Sequence, residues 1–225
     1  MKILRILTYL LVAISAIAVA TVWGKQEPSI IAGLVMDVAT FVAFFYAYET
    51  TKDKFWLINF VAVPFSFVSD MYFIPNFTGI IWSKSLGAGI GMNTWQGIHL
   101  LILAIGCFFY FKKSHYRYLI LITLALTMLT NISSGLLSRG PIAYLTGVTL
   151  QTTVFGYMVL YGLKNSNLMY SAGSFTQWIA AALVFAFYFT VSHDITPFCL
   201  TWTDKIFCIG RLLTAIGAVQ EEQSR

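Results

Sequence analysis

Long apolar stretches, broken by short polar clusters, run through the whole chain. Runs near membrane-spanning length occupy roughly residues 3–23, 30–50, 55–75, 91–111, 118–138, 141–163 and 173–198. Each approaches the ~20 residues that a helix needs to cross a hydrocarbon layer at ~1.5 Å rise per residue. The pattern predicts an all-α fold, a polytopic membrane helical bundle of about seven transmembrane helices. A shorter apolar run, Ile206 to Val219, is too brief to count as an eighth. Only Ser138-Arg139-Gly140-Pro141 separates the fifth and sixth spans, so these are expected to be antiparallel neighbours. Pro64 interrupts the third span and Pro197 follows Asp194. Each removes a backbone donor and leaves a carbonyl that needs another partner. The longest connection, roughly Pro75 to Ile90, holds Trp82, Lys84 and the start of Gly87-Ala88-Gly89-Ile90-Gly91. It reads as an interfacial loop, with a re-entrant or lid-like segment as the alternative. No internal repeat or low-complexity tract is visible, and residues 1–225 read as a single integral-membrane domain.

Composition supports the same class. Of 225 residues, 58% are hydrophobic and 10% charged, which does not suit a soluble domain. Lysine and arginine set the orientation. With the N-terminus inside, the inner segments hold Lys2, Arg5, Lys52, Lys54, Lys112, Lys113, Arg117 and Lys164. The outer segments hold Lys25, Lys84, Arg139, Lys205, Arg211 and Arg225, so the excess places the C-terminus outside. Juxtamembrane lysines account for much of the net charge of +5, and no nucleic-acid partner is implied. The first segment has an alternative reading as a cleaved signal peptide, with Ala16-Ile17-Ala18 or Ala18-Val19-Ala20 as cleavage sites. Three cysteines do not make a disulfide framework. Cys107 falls mid-membrane, and Cys199 and Cys208 fall near the outer face. Asn76-Phe77-Thr78 forms a glycosylation sequon that matters only in a secretory-pathway host.

The polar residues inside these spans change the picture most. Four of the nine acidic residues, Asp37, Glu49, Asp70 and Asp194, lie within or at the ends of apolar spans. A carboxylate in hydrocarbon is costly and normally faces a protein interior or a water-filled cavity. No lysine lies at comparable depth in the spans to neutralise them. By helical rise, Asp37 lies about 10 Å below the outer face, Asp70 about 7 Å, and His193 and Asp194 about 6–8 Å. His99 and Asn131 fall at about 10–12 Å, with Arg139 at the outer end of the fifth span. Asn93, Trp95 and Gln96 line the outer part of the fourth. These groups share one layer across five helices, which suggests a polar pocket opening outward or laterally. Glu49 sits at the opposite end beside Thr50-Thr51-Lys52-Asp53-Lys54, where it can snorkel to the inner interface. Singly, His99 and His193 are also compatible with satisfied structural positions, and Arg139 with an interfacial anchor.

Paired carboxylates in an apolar setting suit general acid–base chemistry, one protonated and one ionised. The same groups suit a transported proton or cation. No HxxxH, HExxH or clustered histidines support a metal, and neither a Gly-x-Ser-x-Gly elbow nor a phosphate-binding loop is present. No metal and no cofactor is expected. Aromatic residues flank the acids: Phe41, Phe44, Phe45, Tyr46 and Tyr48 on the second span, Tyr72 and Phe73 beside Asp70, and Phe185 to Phe189 before Asp194. They serve packing, or else a greasy pocket that steadies a carbocation by cation–π attraction.

The spacing of the acids, the Ser138-Arg139-Gly140 turn and Ser192-His193-Asp194-Ile195-Thr196-Pro197 resemble the small seven-helix integral-membrane terpene cyclases. These are the meroterpenoid and indole-diterpene cyclases and their bacterial relatives. The resemblance covers most of the chain through short motifs. It implies that two acids protonate an epoxide or olefin of a prenyl chain and assist the cation cascade. Asp194 matches the final-helix aspartate of that family. For the second-helix acid, Glu49 keeps the residue type, with Tyr48 where the family usually has tryptophan, whereas Asp37 shares the depth of Asp194.

The expected function is therefore a multi-pass membrane enzyme that cyclises a lipophilic prenylated substrate by protonation. Asp37 and Asp194 form the acid pair, with Asp70 and Glu49 as further catalytic candidates. His99, Arg139, His193, Asn131 and Trp95 are substrate-binding candidates. The alternatives are a proton-coupled small-solute transporter and a membrane lipid hydrolase of the lysoplasmalogenase type. The partners expected are a lipophilic small molecule and the lipid bilayer; the sequence leaves the oligomeric state open.

Overall fold

The computed structural model describes residues 2–21, 26–71, 88–111, 117–118, 141–190 and 204–221. Seven long helices fill these stretches: α1 (Lys2–Thr21), α2 (Gln26–Thr51), α3 (Lys54–Met71), α4 (Ala88–Phe111), α5 (Pro141–Lys164), α6 (Leu168–Thr190) and α7 (Asp204–Gln220). No strand occurs among the described residues, so the all-α expectation holds. Among them one helix, α1, is long and apolar enough on its own to cross a membrane. Shorter apolar segments lie at Lys54–Val68 in α3 and Ile98–Phe111 in α4.

Local chemistry sets the tight turns. Lys52 takes a left-handed conformation (φ 55°) after α2. The next residue, Asp53, caps α3 by accepting the Phe55 N–H on Oδ1 at 2.9 Å. After α5, Ser166 is left-handed (φ 57°). There the Asn167 N–H reaches Gly162 O at 2.8 Å and the Ser166 N–H reaches Leu163 O at 3.2 Å. These two bonds form a Schellman closure that satisfies the last carbonyls of α5. Asn167 then caps α6, accepting the Tyr170 N–H on Oδ1 at 3.0 Å. Turns this short make α2 and α3, and α5 and α6, antiparallel neighbours.

The helices pack in cyclic order. Each of α2 to α7 packs on the next in the chain, α7 closes back on α2, and α1 lies against both α2 and α7. The α6–α7 seam is backbone on backbone. A side chain at Gly173 would meet Thr214 N at 2.5 Å and Gly210 O at 2.6 Å, and one at Gly217 would meet Tyr170 N at 2.4 Å. Small residues let helices approach this closely. The pairing of 173 with 210 and 170 with 217 also fixes α7 as antiparallel to α6. The C-terminal end of α7 therefore lies beside Asn167, at the end of the bundle where α1 begins. The sequence reading placed the C-terminus outside from the Lys/Arg excess and a count of seven spans; in the structure the run Ile206–Val219 forms α7, which turns back along α6 toward the end where α1 begins. Apart from Tyr118, the expected span 118–138 lies outside the described residues. On either side of it, α4 ends beside Asn165 and α5 starts at the far end of the bundle.

A largely aromatic core occupies the α1-start end. Phe55 stacks on Tyr161 with centroids 3.5 Å apart, and Trp56 meets Tyr170 edge-on at 4.9 Å. Polar ties frame it. Tyr161 OH donates to Asp53 Oδ2 at 3.3 Å, Tyr170 OH to Asn59 Oδ1 at 3.2 Å, and Asn167 Nδ2 to Glu221 Oε2 at 2.6 Å. These bonds join α3, α5, α6 and the last turn of the chain.

Replacing Gly173 by valine should be strongly destabilising, since overpacking a closed seam costs about 1–3 kcal/mol or more. Gly156→Ala, where nothing lies within 4 Å of the added carbon, should be neutral or slightly stabilising. Thermal unfolding of the two variants checks the difference.

Candidate functional site: a buried ion pair between α2 and α7

Asp37 is buried in the middle of α2, with only 2% of its surface exposed. The sequence offered no lysine to neutralise it, but α7 supplies an arginine. Arg211 Nη1 donates to Asp37 Oδ1 at 2.5 Å, and Arg211 Nη2 donates to Ser66 Oγ of α3 at 2.5 Å. Arg211 is itself 8% exposed, and its guanidinium lies 5.3 Å from the Phe207 ring centroid. One planar cation thus binds two helices from a third. Guanidinium suits this position because its donors are fixed in a fork and its charge persists when buried. Bringing two charges out of water is costly, and close contact plus further hydrogen bonds offset that cost.

His99 of α4 joins the same layer through α3. Its Nδ1 lies 2.8 Å from Ala62 O. A carbonyl only accepts, so the proton is assigned to Nδ1 from its partner. In the helical ladder Ala62 O is the acceptor for the Ser66 N–H. His99 therefore sits one turn or less from the serine that holds Arg211. Pro64 lies between these positions inside α3, where its missing N–H loosens the ladder.

Of the residues singled out from sequence, Asp37 and His99 are drawn into this layer. Glu49 is placed elsewhere. It forms an ion pair with Lys52 at 2.5 Å, with 34% of its side chain exposed, which is the interfacial arrangement. It lies 12 residues along α2 from Asp37, or about 18 Å at helical rise. The backbone of Asp70 is in the last turn of α3 and that of Trp95 is in α4; their side chains lie outside the described residues. Asn131, Arg139, His193 and Asp194 also lie outside them. Among the described residues no group of three or more His, Cys, Asp or Glu side chains is placed to hold a metal ion.

Sequence reasoning missed Arg211 and Ser66. Arg211 stands in a short apolar run rich in small residues, Ile206 to Val219, which was read as an outer segment. The usable signal was complementarity: a buried acid without a lysine at its depth, and an arginine embedded in an otherwise apolar helix. Chemically, the arrangement gives a carboxylate held as an acceptor, a fixed cation and a hydroxyl in an apolar surround.

Removing one partner leaves the other charge buried. Arg211→Met and Asp37→Leu should each destabilise by about 3–5 kcal/mol, whereas the double variant should recover much of that loss. Glu49→Gln should change stability by less than about 1 kcal/mol. Denaturation of all four variants, analysed as a double-mutant cycle for the pair, provides the check. Comparison with protein-family models, curated protein sequences and solved structures finds no match for this chain.

Proposed function

We propose that this protein is a multi-pass membrane enzyme that acts on a lipophilic small molecule through carboxylate chemistry at the Asp37–Arg211–Ser66 centre. The observation that carries the reading is the buried ion pair itself, since charge in such a core marks function more often than packing. Support for the bilayer comes from the outer surface. Ile3, Ile6, Leu10, Ile14 and Ile17 form an exposed stripe on α1, opposite its buried face of Thr8, Val12, Ser15 and Val19. Large apolar residues are also exposed on every other helix: Phe45 on α2, Val61 on α3, Phe109 on α4, Leu163 on α5, Phe175 on α6 and Ile209 on α7. A water-facing bundle would carry polar residues there.

The contact with Arg211 makes Asp37 an acceptor. In a cyclisation started by protonation it serves as the base or as the counter-charge to a cationic intermediate. The proton-donor role then falls to Asp194. This division matches the rule that two catalytic carboxylates take opposite protonation states. The same contact favours a second reading, hydrolysis of a membrane lipid of the lysoplasmalogenase type. There Asp37 would take a proton from water while Arg211 steadies the developing negative charge.

The test uses membranes containing the protein, incubated separately with a prenylated epoxide and with a vinyl-ether lysolipid. Cyclisation gives an isomer of unchanged mass, whereas hydrolysis adds the elements of water. Either product should fall at least about a hundredfold in Asp37→Asn, the usual scale for losing an acid–base group. Wild-type turnover that persists in both Asp37→Asn and Asp194→Asn would remove the carboxylate mechanism. No turnover, together with pH-dependent solute flux in proteoliposomes, would assign the acids to transport.

A further inference from the structure

One end of the bundle is basic, and the fold sorts the charges there. At this end α1 starts, α2 turns into α3 and α5 turns into α6. Lys2, Lys52, Lys54 and Lys164 are exposed on it. The described carboxylates at the same end are engaged by the protein instead. Glu221 is buried and accepts from Asn167 Nδ2. Asp53 accepts the Phe55 N–H and the Tyr161 OH. Glu49 is half-buried and pairs with Lys52. The field that this end presents to its surroundings is therefore positive.

Two further features set these lysines at the edge of an apolar layer. Lys52 Nζ lies 5.3 Å from the Tyr48 ring centroid, and Lys164 Nζ lies 5.0 Å from that of Tyr110. Both tyrosines are half-buried, and Asn165 Nδ2 donates to the Tyr110 OH at 3.1 Å. Rings with an apolar body and a polar tip favour the level of lipid headgroups. Exposed apolar side chains begin next to the cations: Ile3 and Ile6 after Lys2, Leu163 before Lys164, and Leu168 at the start of α6. A partner that covers this end carries negative charge and hydrocarbon together. An acidic protein or a nucleic acid would match the lysines and leave the apolar collar in water. We propose that this end binds anionic phospholipids of the adjoining leaflet, with phosphate at the lysines and acyl chains along the collar. The proposal rests on the bilayer part of the function proposed above and is independent of the carboxylate chemistry.

The test reads binding without turnover. Protein in dodecyl maltoside is titrated with dioleoylphosphatidylglycerol or dioleoylphosphatidylcholine, and native mass spectrometry counts bound lipid. Near an anionic surface each lysine contributes about fivefold in affinity. Phosphatidylglycerol should bind more tightly than phosphatidylcholine. Lys54→Gln combined with Lys164→Gln should weaken it about twentyfold and leave the thermal transition unchanged. Glu49→Gln, which releases Lys52 from its ion pair, should strengthen it up to about fivefold, a gain that misfolding cannot imitate. Equal affinity for the two lipids, indifference to the lysine pair, or a loss in Glu49→Gln overturns the proposal. So does an equal loss in Lys25→Gln combined with Lys84→Gln, the lysines that the sequence count assigns to the opposite segments. Displacement of the lipid by polyglutamate at lower concentration would assign the face to an acidic protein and overturn it as well. Loss of headgroup preference in a protein that stays in phosphatidylcholine vesicles through an alkaline wash rejects this proposal alone. Release by that wash rejects the bilayer reading and the proposal with it.

Discussion

Asp37 on α2 and Arg211 on α7 meet in an interior where neither is exposed, and each makes the other tolerable there. Much of the arrangement follows from that demand. Because α2 is an early helix and α7 the last one described, the pair closes the ring of helices at its seam. Ser66 extends the contact into α3, and Ala62 carries it to His99 on α4, so four helices meet around one charge layer. An apolar interior has little directional preference, whereas a fixed carboxylate admits a guanidinium from a narrow range of positions. The pair therefore bears on register, which hydrophobic packing alone specifies loosely.

The backbone of α7 meets the same demand by a different route. Gly210 stands next to Arg211 and gives up its side chain so that α6 can approach at Gly173. Further along, Gly217 admits Tyr170, and the chain ends its described course with Glu221 accepting from Asn167. The glycines of α7 are thus what bring it close enough to α6 to hold its arginine over Asp37. The opposite wall of α7 faces α1, where alanine at 16 and 20 leaves space. One helix is tightly packed on one face and loosely packed on the other.

The helical class was legible because apolar runs of about 20 residues admit few alternatives in a chain with so few charges. Most helices fall close to the expected limits, with α2 beginning earlier than its apolar run because Gln26 and Glu27 lie in its first turn. Depth arithmetic separated Asp37 from Glu49, and the fold keeps them at different levels, one buried and one beside Lys52. Arg211 stayed hidden for a physical reason. Its value depends on a contact with a residue 174 positions away, and no local pattern encodes that distance. The Schellman turn at Ser166 was likewise unreadable, because serine lacks the glycine that usually announces a left-handed residue.

That sequence separation has a consequence for how the chain is made. Asp37 emerges from the ribosome with α2, whereas Arg211 is synthesised 174 residues later. At about 5–20 residues per second the acid waits roughly ten to thirty seconds for its partner. During that interval the nascent bundle contains a carboxylate whose final counter-ion does not yet exist. A proton or another transient partner must shelter it. Biogenesis is thus completed from the C-terminus, and a ribosome that stalls before α7 releases a protein whose core charge has never been matched.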